Sequence, residues 1–324
     1  MKRHGWIALL VALALAGLAL AACGSDDDGG GGGSQTSGAQ QSGIKRNSAN
    51  ASTSITVGSK NFTEQRVLGE IYAQALAAAG YKVKTELNLG DEKIALKALE
   101  TEQIDAYPEY TGTALLSFFG FKASELPKDP QKAYQEVKAN FAKRGIEALP
   151  PTPFTSSNEV AVTRATANKY GLKKISDLSK VASKLTLYGS PECRQRLDCL
   201  LGLQQVYGLE FKKFVPVAVD LRHEVLRKGQ ADVSIVFTTD PQIKRNDEVL
   251  LEDDKGMFPP YNSTLLVRDE VAQKAGPDLR DVVTQVNEGL TVPAMQELNA
   301  RVDLDKKTPT VVGREYLQET GLIE

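Results

Sequence analysis

The chain has 324 residues, enough for two domains at about 150 residues each, and its 41% hydrophobic and 25% charged content excludes both a multi-span membrane protein and a disordered one. Its 39 Lys and Arg nearly balance 41 Asp and Glu, a formal charge of −2, without the basic excess that a nucleic-acid binder uses. With only two histidines, His4 and His223, a multi-histidine metal site is ruled out and a Ser-His-Asp triad would rest on His223 alone.

In chain order, Lys2 and Arg3 precede an apolar run over 6–22 that ends Leu20-Ala21-Ala22-Cys23. A positive start, an apolar middle and small residues before a cut site predict a secretory signal over 1–22. The run is shorter than the roughly 20 residues of a membrane span. Leu-Ala-Ala-Cys resembles the bacterial lipobox, so Cys23 is the expected lipidation site. The body is then expected on the extracytoplasmic face of a cell membrane, held through its lipid. Residues 23–54, with Asp26-Asp27-Asp28, five glycines and a Ser/Gln/Asn-rich stretch, offer little to bury and predict a flexible tether. Once Cys23 is set aside, Cys193 and Cys199 remain, and export predicts a small-loop disulfide between them. Two free thiols or half a metal site are the alternatives, but no further ligand completes such a site.

From Ile55 the pattern alternates strand and helix. Ile55-Thr56-Val57-Gly58 reads as a strand, and Asn61 with Glu64 as a helix N-cap pair. Val67, Leu68, Ile71, Ala75, Leu76 and Ala79 then recur at helical spacing until Gly80. A strand is predicted over 81–89, and Asp91 opens a second helix carrying Ile94, Ala98 and Leu99. This alternation predicts an α/β fold with largely parallel sheets. Residues 99–111 also align without gaps to 226–238, sharing Leu, Gln, Asp, an aromatic and Thr. The echo predicts two lobes presenting Tyr110 and Phe237 at strand ends across a shared cleft, where open α/β sheets bind ligands.

Several residues on this frame can hold a charged ligand. Lys60 falls between a strand and a helix start, where backbone N–H groups and the helix dipole favour an anion; a solvated lysine is the plainer reading. Tyr107-Pro108-Glu109-Tyr110-Thr111-Gly112-Thr113 places Pro108 where a strand must end or lie at an edge, with tyrosine faces that suit a cation; a tyrosine pair packed as core is the plainer reading. Arg196, or equally Arg194, lies in the Cys193–Cys199 loop and could fork onto a carboxylate. Met257-Phe258-Pro259-Pro260-Tyr261 reads as an aromatic, proline-stiffened crossing segment that either walls the cleft or is only a linker. His223 falls in a helix-like run over 221–228 and is expected to be exposed. No nucleophile elbow, phosphate loop or metal-spacing cluster is present in the sequence, so neither a catalytic residue nor a cofactor is expected.

At Gly58-Ser-Lys-Asn-Phe-Thr-Glu-Gln65 and Ile104-Asp-Ala-Tyr-Pro-Glu-Tyr-Thr-Gly-Thr113 the chain resembles the substrate-binding proteins of osmoprotectant ABC transporters. These take glycine betaine, choline and proline betaine. The resemblance covers the body from about Ile55 and implies a type II periplasmic-binding-protein fold. Two α/β lobes, 55–159 with 262–324 and then 160–261, would be joined by two crossings and close on the ligand. It implies no enzyme, but a binder that delivers a small zwitterionic or cationic osmolyte to a permease and its ATPase, as a monomer. Matched motif by motif, the resemblance assigns Lys60, Tyr110, Thr113, Arg196 and Tyr261 to ligand binding. Asn158, in Ser157-Asn158-Glu159-Val160, stands where the family often has a cage tyrosine, and Phe237 where a tyrosine is common. A same-fold receptor for an amino acid or a polyamine is the alternative.

Overall fold

Two five-stranded mixed sheets organise residues 43–122 and 125–324, which the computed structural model describes. In chain order the strands are β1 (Ser54–Gly58), β2 (Lys82–Glu86), β3 (Ala106–Tyr110), β4 (Ile146–Ala148), β5 (Asn158–Thr163), β6 (Thr186–Gly189), β7 (Lys213–Pro216), β8 (Val233–Phe237), β9 (Glu248–Leu251) and β10 (Ser263–Arg268). One sheet runs β2-β1-β3-β10-β4 and the other β7-β6-β8-β5-β9. The two orders are the same pattern, and in each the fourth strand, β10 or β5, is antiparallel to its neighbours. The expected two-lobe α/β architecture is therefore present.

The sequence echo has a structural cause. Asp105 takes the β1 backbone through Thr56 N–H at 2.8 Å, and Asp232 takes the β6 backbone through Thr186 N–H at 2.8 Å. Their own N–H groups donate back to Thr56 and Thr186. Leu99 and Leu226 are both buried beneath these turns. The aromatic ends of the two segments, Tyr110 and Phe237, then close β3 and β8 in equivalent places.

Pro108 departs from expectation. It lies in the middle of β3, itself the middle strand of its sheet. Thr111 N–H to Asn262 O and Arg268 N–H to Asp105 O set the phase of the β3–β10 ladder, and Pro108 opposite Leu265 takes a non-hydrogen-bonded position. Its nitrogen turns toward β1, whose pairing with β3 has already stopped at Ala106. The missing donor falls where no ladder asks for it.

Helix α1 (Thr63–Ala78) buries Val67, Leu68, Ile71, Ala75 and Leu76 against the C-terminal helices, as its periodicity predicts. Its N-cap is Phe62 rather than Asn61, and no side chain caps it. Helix α2 (Glu92–Glu100) starts at the predicted Asp91 cap, which accepts from Lys93 and Ile94 N–H at 3.0 Å. Its buried face is Ala95, Leu96, Ala98 and Leu99, leaving Ile94 51% exposed. The strand read over 81–89 is shorter, as β2, and mostly exposed at the sheet edge.

Two boundaries also move. Residues 44–53, read as tether, pack on the first lobe: Ile44 N–H bonds Leu322 O, and buried Asn50 donates to Ala79 O and Asp278. The lobe break drawn at 159/160 falls inside β5, whose first residue, Asn158, already pairs with Phe237. Cys23 and the signal segment 1–22 lie outside the described residues, and no described helix is long and apolar enough to cross a membrane. The two crossings, around 155 and 261, are tied together. Thr155 bridges Asn262, Tyr261 N–H donates to Thr155 Oγ1 and Ser156 N–H to Tyr261 O.

Candidate functional site

One cavity opens between the lobes, and its walls follow the carboxyl ends of β1, β3, β6 and β8. Such ends are where open α/β sheets present loops to a ligand. All seven expected residues line it: Lys60, Tyr110, Thr113, Asn158, Arg196, Phe237 and Tyr261. Arg194 does not; its guanidinium lies 4.6 Å from the Phe214 ring centroid instead. Cys193 and Cys199 form a disulfide with a Cα–Cα distance of 5.1 Å, and the turn it closes carries Arg196 and Asp198.

Four aromatic rings meet here. Phe62 stacks on Tyr110 with centroids 6.3 Å apart and tilts against Phe237 at 5.4 Å, linking the lobes. Tyr261 comes from the second crossing. Phe62 was not anticipated, although it sits in the Gly58–Gln65 motif; nothing in spacing alone separates a wall ring from a core one. Tyr107, by contrast, is fully buried core, with its hydroxyl on Glu109 at 3.2 Å.

The cavity tyrosines are held by carboxylates. Tyr110 Oη donates to Glu64 at 2.6 Å, and Tyr261 Oη donates to Asp198. Burial pushes both phenols well above their ordinary pKa, and the adjoining carboxylates add to it. Burial likewise raises Glu64, against donors that include Tyr110 and Asn299.

Each cation in the wall has a carboxylate partner. Lys60 Nζ donates to buried Glu109 and lies 4.6 Å from the Tyr110 ring centroid. Burial raises the Glu109 carboxyl, opposed chiefly by Lys60. Arg196 forks onto Asp198 at 2.8 and 2.6 Å, and its third nitrogen reaches Glu92 on α2 of the opposite lobe at 2.8 Å. Burial would lift Asp198, but Arg196 outweighs it and the carboxyl stays below its usual range. Asn158 supports this corner by donating to Asp198 O at 3.1 Å.

Arg222, missed in the sequence, covers the Phe237 ring with its guanidinium 4.5 Å from the centroid. It grips Asp240, which also accepts from Phe237 N–H at 2.8 Å. His223 corrects the expectation of an exposed residue: it is 5% exposed, with Nε2 on Asp240 at 2.8 Å and Nδ1 on Glu248 at 2.7 Å. It does not line the cavity. No cluster of metal-ligating residues occurs among the described residues.

Residues 53–319 match the family model described as the substrate binding domain of ABC-type glycine betaine transport system. A glycine-betaine-binding protein of Pseudomonas aeruginosa is 33% identical over 281 residues, 83% of this chain and 89% of that one. The carnitine transport binding protein OpuCC of Listeria monocytogenes is 31% identical over 274 residues, 83% of this chain and 88% of the relative. A solved structure titled as a glycine betaine/carnitine/choline ABC transporter superposes with a TM-score of 0.67 at 25% identity, covering 83% of this chain and 100% of the other.

Proposed function

The chain belongs to the family of substrate-binding domains of ABC-type glycine betaine transport systems, and from that footing we propose that its interlobe cavity captures a small quaternary ammonium compound and hands it to a membrane permease. The observation that carries this is the meeting of Phe62, Tyr110, Phe237 and Tyr261 around one cavity drawn from both lobes and a crossing. Ring faces attract a cation by about 0.5–1 kcal/mol when wet and about 2 when dry, so an enclosed cluster favours an ammonium group that water would otherwise keep. The protein's own Lys60 and Arg222 already lie over three of these rings, Phe62, Tyr110 and Phe237, but Glu109 and Asp240 offset their charge. A methylated ammonium suits such walls because it has no N–H to leave unsatisfied when water is excluded.

Lys60, Tyr110, Thr113, Asn158, Arg196, Phe237 and Tyr261 form the ligand-contacting set in this reading. Binding makes or breaks no covalent bond. The Cys23 lipid would hold the body at the extracytoplasmic face of the cell membrane, beside the permease, which detergent-phase partitioning of the mature chain tests. Calorimetry on the purified body with choline, glycine betaine and carnitine, beside proline and putrescine, tests the ligand class. At least one methylated ammonium should bind with micromolar or better affinity. Binding confined to proline or putrescine would overturn the reading.

A further inference from the structure

Each cation in the described cavity wall already meets a carboxylate of the protein. Lys60 is held by Glu109 and Arg222 by Asp240. Arg196 spends Nε and Nη2 on Asp198 and Nη1 on Glu92, each within 2.8 Å. Glu92 is the unusual member. It is 4% exposed, lines the cavity from the first turn of α2, and reaches across the cleft to the other lobe. Ser117 Oγ donates to it at 3.1 Å, so its position is fixed from its own side as well. Although burial pushes its carboxyl up, Arg196 and then Lys60 outweigh that, and the group stays below its ordinary pKa.

We propose that Glu92 is a specificity-determining residue that makes this cavity prefer a quaternary ammonium cation without a carboxylate over a zwitterion bearing the same head group. The proposal rests on the quaternary-ammonium reading above and narrows it. A ligand carboxylate drawn to Arg196 or Lys60 would lie beside the buried Glu92 charge that both already face, a like-charge contact in a poorly screened site. A ligand with a hydroxyl in place of the carboxylate avoids that cost and keeps the attraction of its head group to Glu92.

Choline and glycine betaine share the trimethylammonium head and differ at this end, so the ratio of their dissociation constants reads the proposal directly. Choline should bind the wild-type body at least about tenfold more tightly. Glu92→Gln keeps the shape and frees Arg196 from its charge, and should move the ratio about tenfold toward glycine betaine. Glu92→Asp keeps the charge and should retain the choline preference. A general loss of structure would weaken both ligands alike and leave the ratio where it was. Glycine betaine equal to or tighter than choline in the wild type, or an unchanged ratio in a folded Glu92→Gln protein, overturns the proposal while leaving the ligand class intact. Binding of neither ligand, nor of carnitine, removes the ligand class and this proposal together. Should Glu92→Gln fail to fold, the wild-type ratio still decides.

Discussion

His223 lies between Asp240 and Glu248 with almost no exposure, so its charge state is tied to whether the fold is intact. Burial and the nearby Arg222 pull its pKa down, yet the two carboxylate hydrogen bonds prevail and raise it above the ordinary 6.5. A histidine raised on folding stabilises fully below its unfolded pKa, and that contribution is lost as pH climbs through the folded value. The stability advantage of the wild type over His223→Asn should therefore be largest below pH 6.5 and shrink at higher pH, read by urea melts across pH 5–9. A difference that stays flat over that range would refute the coupling. The sequence could not show this. Arg222, Glu224, Arg227 and Lys228 made the helix look solvated, and the partners Asp240 and Glu248 arrive from the end of β8 and from β9. Arg222 and Glu92 escaped notice for the same reason: a charged residue declares itself as buried only once its partner, far away in sequence, is known. Lys60, Tyr110 and Tyr261 were legible because short motifs carry them.

At the scale of elements, the turn closed by Cys193 and Cys199 does more for the site than either sulfur. It holds Asp198, fully buried, where Arg196, Tyr261 and Asn158 all engage it. Leu200 N–H at the start of the next helix donates to Cys193 Sγ at 3.3 Å, and a Cβ on Gly189 would strike the same sulfur at 2.6 Å. Closing so short a loop stabilises by roughly 2 kcal/mol on a chain-entropy estimate. Replacing both cysteines by alanine should thus lower the unfolding free energy by about that much and weaken ligand binding several-fold, because the Arg196–Asp198 fork loses its frame. Full affinity in the double variant would show that the turn is held by packing alone. The Cys pair was readable from counting and compartment. The role of Pro108 was not, because the rule that proline ends a strand considers the strand and not which neighbour its nitrogen faces.

Across the whole molecule, the lobes meet through contacts of different strength. Arg66 and Asp220 approach at 3.4 Å as an exposed pair worth under about 1 kcal/mol. Arg196–Glu92, Gln242–Asp303 at 2.8 Å and Asn299–Thr239 O at 3.2 Å are more enclosed. The helix Val292–Asp303 supplies the first-lobe side of the last two, so this helix, not only the crossings, registers one lobe on the other. A ligand seated among Phe62, Tyr110, Phe237 and Tyr261 would meet both lobes and the second crossing at once. Ligand at a hundredfold its dissociation constant stabilises the bound form by about 2.7 kcal/mol, and that energy must appear wherever opening would release the ligand. Hydrogen exchange with saturating choline should therefore slow together at the β3 end and the turn after it, at the β8 end, in the Cys193–Cys199 turn and along the second crossing. The edge strands β2 and β7, which lie at the outer margins of their sheets, should change least. Protection confined to one lobe would place the ligand on that lobe's surface, because a molecule held between two bodies cannot slow the opening of only one of them.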